Sequence, residues 1–65
     1  MASQRLLRLP DVKRQTGLSR SSIYGQISDG KFPQSVSIGA RAVAWVEDEV
    51  EEWINKRIDD RRRAA

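Results

Sequence analysis

Cysteine and histidine are both absent from this sequence of 65 residues. Without cysteine no disulfide can form, and without either residue the common zinc sites lack their ligands. A cysteine nucleophile and a Ser-His-Asp triad are excluded on the same ground. No metal and no cofactor is expected. Long apolar runs are missing too: none approaches the roughly 18 residues that would span a bilayer, so no membrane role is expected. Met1 to Arg8 contains no apolar stretch of signal-peptide length, which makes a cytoplasmic protein the expectation. There is no internal repeat and no low-complexity stretch. The length suits one domain, residues 1–65, and a domain this small buries only about 60% of its unfolded surface.

Charge is plentiful, and its distribution matters more than its sum of +3. Residues 1–46 carry seven bases (Arg5, Arg8, Lys13, Arg14, Arg20, Lys31, Arg41) and two acids (Asp11, Asp29), a net +5. Residues 47–60 carry seven acids and two bases, a net −5, and residues 61–65 add three arginines. A basic body favours polyanionic partners, nucleic acid first.

Glycine and proline punctuate the chain. Pro10 suits the first turn of a helix, where its missing N–H costs nothing. Gly17 ends that helix after Thr16. Ser19 is a good N-cap for a second helix, which Gly30 closes. Lys31-Phe32-Pro33 then forms a connector, since the residue before a proline avoids helical backbone. Val36-Ser37-Ile38 and Val43-Ala44-Trp45 alternate at period 2, with Gly39-Ala40-Arg41-Ala42 between them as a glycine-containing turn. A third helix starts near Glu47. Val46, Val50, Trp53, Ile54 and Ile58 give it one apolar stripe. Glu47, Asp48 and Glu49 complement its dipole, and Glu52–Lys56 is a favourable i,i+4 pair. The ordered core is expected over about residues 6–58, with residues 59–65 a frayed tail. Trp45 and Trp53 are expected in the core.

The predicted fold is mainly α with a small β-hairpin: a winged helix-turn-helix, in the order helix, turn, helix, hairpin wing, helix. Its turn, Gly17-Leu18-Ser19, has helix-turn-helix length and chemistry. The second helix would be the recognition helix. Ile23 and Ile27 define its buried side. At about 100° per residue the opposite side carries Ser21, Ser22, Gly25 and Ser28, with Tyr24 and Gln26 on the flanks. Small residues there permit close approach to base edges, and serine hydroxyls read several bases weakly. Gln26 could pair with adenine, and Arg20 with guanine or a phosphate. Gly25 costs up to about 1 kcal/mol in mid-helix against alanine, a cost that close approach to DNA would explain. Tyr24 could give its hydroxyl to a phosphate or cover the core edge with its ring. Arg41, at the hairpin tip, could enter a narrow minor groove or hold a phosphate. Lys13, Arg14 and Lys31 are phosphate candidates. The acids of the third helix share one short element with no cleft implied. Dipole and solubility explain them better than acid–base catalysis, so no enzyme and no small-molecule substrate is expected.

These residues carry a resemblance. Leu7 to Ile58 resembles the AlpA family of prophage regulatory proteins, itself similar to MerR-type winged helices and small phage excisionases. The match runs through Thr16-Gly17-Leu18-Ser19-Arg20-Ser21-Ser22-Ile23-Tyr24 and Gly30-Lys31-Phe32-Pro33. It continues in Ile38-Gly39-Ala40-Arg41-Ala42-Val43-Ala44-Trp45 and Glu49-Val50-Glu51-Glu52-Trp53-Ile54. The resemblance implies a sequence-specific regulator acting on double-stranded DNA, tied to integrase expression and prophage excision. It implies DNA contacts at Arg20, Ser21, Ser22 and Tyr24, with Arg41 in the wing. Two positions depart from the family pattern: Gly25, where a basic residue is common, and Ala40 in the wing turn. Two alternatives share the sequence features: an excisionase-like protein that bends DNA, and a protein-interaction module whose acidic helix binds a basic partner. No heptad seam is present, so any homo-oligomer would be weak or DNA-assisted.

Overall fold

The computed structural model describes residues 5–64. Residues 1–4 and 65, which the single-domain and tail expectations include, lie outside the described residues. The chain runs β1 (Leu6–Leu7), α1 (Leu9–Thr16), α2 (Arg20–Ser28), β2 (Val36–Gly39), β3 (Ala42–Val46) and α3 (Glu47–Ala64). This is a winged helix-turn-helix.

The helix boundaries follow from local chemistry. Pro10 occupies the first turn of α1, and Asp11 complements the dipole there. Gly17 ends α1 in the left-handed conformation, at φ 75°, which glycine adopts without a Cβ penalty. Its N–H donates to the Lys13 carbonyl at 2.8 Å. Thr16 braces the turn. Its Oγ1 donates to the Val12 carbonyl at 2.8 Å and accepts the Leu18 N–H at 3.2 Å. Ser19 then caps α2, its Oγ accepting the Ser22 N–H at 3.1 Å. At the far end Gly30 is again left-handed, at φ 74°. Its N–H reaches the Ile27 carbonyl, and the Lys31 N–H reaches the Gln26 carbonyl. Together these bonds make a Schellman closure.

The three strands form one antiparallel sheet in the order β1-β3-β2. Leu6 pairs with Val46 and Leu7 with Trp45, and the Glu47 N–H donates to the Arg5 carbonyl at 2.7 Å. On the other side Val36 pairs with Ala44 and Ser37 with Val43. A register shift between Ser37 and Gly39 leaves Gly39 opposite Ala42. The tip of the wing is therefore Ala40-Arg41, and Gly39 belongs to β2 without a positive φ.

Nearly every element sends one residue into the core: Leu7, Val12, Ile23, Phe32, Trp45 and Val50. Trp45, Ile23, Val12 and Val50 are fully buried. The Trp45 indole N–H is satisfied by the Pro33 carbonyl at 3.1 Å, so its burial leaves no donor unpaired. Leu9, Leu18, Ile27, Val43, Trp53 and Ile54 pack around this centre.

Three expectations need correction, and one element, the strand β1, is additional to them. The tail beyond Ile58 is helix as far as Ala64 rather than frayed, with Arg61, Arg62 and Arg63 at the negative end of the dipole. Trp53 is only half-buried: its ring meets Phe32 edge-on at 5.0 Å and its N–H donates to the Lys31 carbonyl at 2.7 Å. Val36 and Ile38 do not turn an apolar face inward; both are exposed, because β2 is an outer strand with no layer packed over it.

Candidate nucleic-acid interface

On α2 the single fully buried side chain is Ile23, with Ile27 half-buried beside it. Ser21, Ser22, Gly25 and Ser28 are all exposed. A Cβ built on Gly25 would meet nothing within 4 Å. The outer face of the helix is therefore smooth as well as polar, and nothing of the protein itself fills the space above it. The Ser19 Oγ also donates to the Ser22 Oγ at 3.1 Å, which orients one hydroxyl of that face.

Arg20 and Tyr24 stand together at one flank. The Arg20 guanidinium lies 5.6 Å from the centre of the Tyr24 ring, a cation–π arrangement. The same ring meets Trp45 edge-on at 6.1 Å, yet Tyr24 stays 38% exposed. Its ring covers the core edge while its hydroxyl has no protein partner among the described residues. Gln26 behaves differently. It is half-buried, and its side-chain carbonyl oxygen is shielded from solvent without a hydrogen-bond partner. The amide is turned toward the body, not displayed like the serines.

The basic candidates separate into three places. Lys13 and Arg14 border a shallow hollow of about 500 Å³ with Pro10, Gly17, Leu18 and Ser19, next to the start of α2. Arg14 is ion-paired with Asp11 one turn before it. Arg41 is exposed at the wing tip, with no carboxylate in ion-pair distance among the described residues. Lys31 lies apart, against α3. There it lines a cleft of about 410 Å³ with Glu49, Glu52, Trp53 and Lys56. The structure thus gathers Arg20, Ser21, Ser22, Tyr24 and Gly25 on one helix, puts Lys13 and Arg14 beside that helix's start, and leaves Lys31 elsewhere.

Of the acids in the first turns of α3, Glu47 is half-buried and faces Arg5 at 3.9 Å. Asp48, Glu49, Glu51 and Glu52 are exposed. Among the described residues no cluster of carboxylates is placed to hold a metal ion. No described helix is long and apolar enough to cross a membrane.

One residue of this surface escaped the sequence reading. Arg8 is exposed, and its Nε donates to the Val43 carbonyl at 3.1 Å, across 35 positions of sequence. Its only signal in the sequence is a basic charge just before the first helix.

Comparison with known proteins identifies the lineage. The model of a family described as Prophage CP4-57 regulatory protein (AlpA) matches residues 5–58. The chain is 46% identical over 63 residues to the uncharacterized protein ORF88 of Enterobacteria phage P4, covering 97% of this chain and 72% of that one. It is 37% identical over 59 residues to the DNA-binding transcriptional activator AlpA of Escherichia coli (strain K12), covering 82% of this chain and 84% of that one. The chain therefore belongs to the AlpA family of prophage regulatory proteins.

Proposed function

We propose that this protein is a sequence-specific DNA-binding transcriptional regulator, with α2 as the element that enters the major groove. The observation that carries this is the open outer face of α2 in a winged helix-turn-helix of this family. Ser21, Ser22 and Ser28 offer hydroxyls there, and nothing obstructs Gly25. A relative over most of both chains is itself named a DNA-binding transcriptional activator. A family of regulatory proteins supplies no precedent for catalysis, and the chain is not an enzyme.

In this reading Ser21 and Ser22 meet base edges and Gly25 lets the backbone come close. Arg20 holds a guanine or a phosphate, steadied by the Tyr24 ring beneath it. The Tyr24 hydroxyl donates to a phosphate. Lys13 meets the backbone beside the start of α2, and Arg14 joins it by exchanging Asp11 for a phosphate. Arg41 brings the wing to the minor groove or to a phosphate. Gln26 reaches adenine only after its amide rotates outward, and Lys31, against α3, is the least favourably placed contact. The protein acts in the cytoplasm, on promoters of integrase and excision genes, as a weak or DNA-assisted oligomer. Footprinting over the DNA flanking its own gene tests this. One protected site overlapping a promoter is expected. Tandem sites beside an attachment site would favour a DNA-bending excision factor instead. Absence of protection on any duplex would favour a protein-interaction module.

A further inference from the structure

We infer that Arg8 is a second phosphate-binding residue of the wing, held in place by the strand it borders. The inference rests on the DNA-binding reading above and adds a contact on the β1 side of the wing. The register of β1 on β3 sets Leu6 against Val46 and Leu7 against Trp45. Continued, it would bring Leu9 against Val43. The chain instead turns into α1 at Leu9, and the Val43 carbonyl on that side is left without a backbone partner from β1. The Arg8 side chain takes its place: Nε donates to that carbonyl at 3.1 Å. The Arg8 carbonyl caps α1 by accepting the Asp11 and Val12 N–H groups, but its side chain makes no cap, so the bond to Val43 is the side chain's one hydrogen bond among the described residues.

One bond through Nε restricts the side chain and leaves the two terminal amino groups of the guanidinium free. Those groups form the forked edge that matches two oxygens of a phosphodiester. The side chain is exposed, and no carboxylate lies in ion-pair distance among the described residues. A cation held at one end by a carbonyl and open to solvent at the other is preorganised for an anion. The placement also suits DNA. Val43 lies two positions after Arg41, so the Arg8 guanidinium is bonded to the same hairpin that carries Arg41 at its tip. Arg8 itself lies beside the start of α1, bonded to the second residue of β3. A duplex that meets the tip therefore brings its phosphate backbone toward Arg8 as well.

The test is the salt dependence of binding, measured by fluorescence anisotropy on a labelled random-sequence duplex. Arg8→Gln removes the charge but keeps an amide N–H for the Val43 carbonyl. It should weaken binding and make the log–log slope shallower by about 0.9, the value of one phosphate contact. Arg8→Lys, which keeps the charge, should retain the wild-type slope. In an Arg41→Ala background Arg8→Gln should still remove about 0.9. Two results would overturn the assignment. One is an unchanged slope in Arg8→Gln beside a steep wild-type slope, which would leave the DNA-binding reading standing. The other is a loss that vanishes in the Arg41→Ala background, which would make Arg8 a tether of the wing only. A wild type that binds no duplex would instead bring down the DNA-binding reading itself.

Discussion

Gly25 is the position where stability and DNA binding are set against each other most clearly. A glycine in mid-helix costs about 0.8–1 kcal/mol relative to alanine, from the backbone entropy lost on folding. Nothing in the protein needs that glycine: its backbone is ordinary right-handed helix, and a Cβ there would meet open space. Gly25→Ala should therefore stabilise the domain by about that amount. Each kcal/mol moves the melting temperature of a domain of this size by roughly 4–8 °C, so a rise of about 3–8 °C is expected in thermal melts followed by circular dichroism. Gly25→Arg should melt at least as high as wild type, since arginine is nearly as good a helix former as alanine. Its effect on binding should depend on the duplex. On random sequence one added cation should steepen the salt slope by about 0.9. On the operator the long side chain occupies the space that close approach requires, so affinity should fall. A drop in melting temperature for both variants would show that the position faces the body, and the recognition face assigned to α2 would be wrong.

Other substitutions probe the remaining parts. Trp45→Ala removes the largest fully buried side chain, at a cost of about 3–5 kcal/mol against a total stability of the same order, so circular dichroism should show an unfolded chain at room temperature. Trp53→Ala should cost less than Trp45→Ala, because the ring is only half-buried: it loses one hydrogen bond, the Phe32 aromatic pair, the Arg57 cation–π contact and part of its core packing, and urea melts should show a weakened two-state transition. Ser19→Ala removes the α2 cap and should cost about 1 kcal/mol in the same assay. Arg41→Ala should change stability by less than about 0.5 kcal/mol while making the salt slope shallower by about 0.9.

The parts of the fold that were legible are those specified by near neighbours in sequence. Pro10, Gly17 and Gly30 by their backbone chemistry, and Ser19 by its side-chain cap, mark helix ends, and each does so in the structure. What was not legible depends on distant partners or on context. Leu6-Leu7 is too short to show any period, and it is a strand only because Trp45 and Val46 present an open edge to it. The wing alternates correctly, but period 2 does not reveal that β2 has no layer above it and so leaves Val36 and Ile38 exposed. The last turns of α3 have no apolar stripe to announce them. Their support is the helix dipole, whose negative end carries Arg61, Arg62 and Arg63. On α2 the serines and glycine fall outward as their angular spacing predicts. Gln26 lies at the boundary of the buried sector, where the helical wheel cannot say which way a flexible amide turns. Arg8 was invisible because its partner is a backbone carbonyl 35 positions away.

The central claim is that this protein binds duplex DNA through several phosphate contacts. The direct measurement is its affinity for a random-sequence duplex across a range of salt concentrations. Seven basic residues lie in the body, and the four or five assigned to phosphates (Lys13, Arg14, Arg41 and Arg8, with Arg20 where it takes a phosphate) give a log–log slope of roughly −3.5 to −4.5 per protomer. A slope in that range supports the account. A slope near zero, or no binding at low salt, would contradict it.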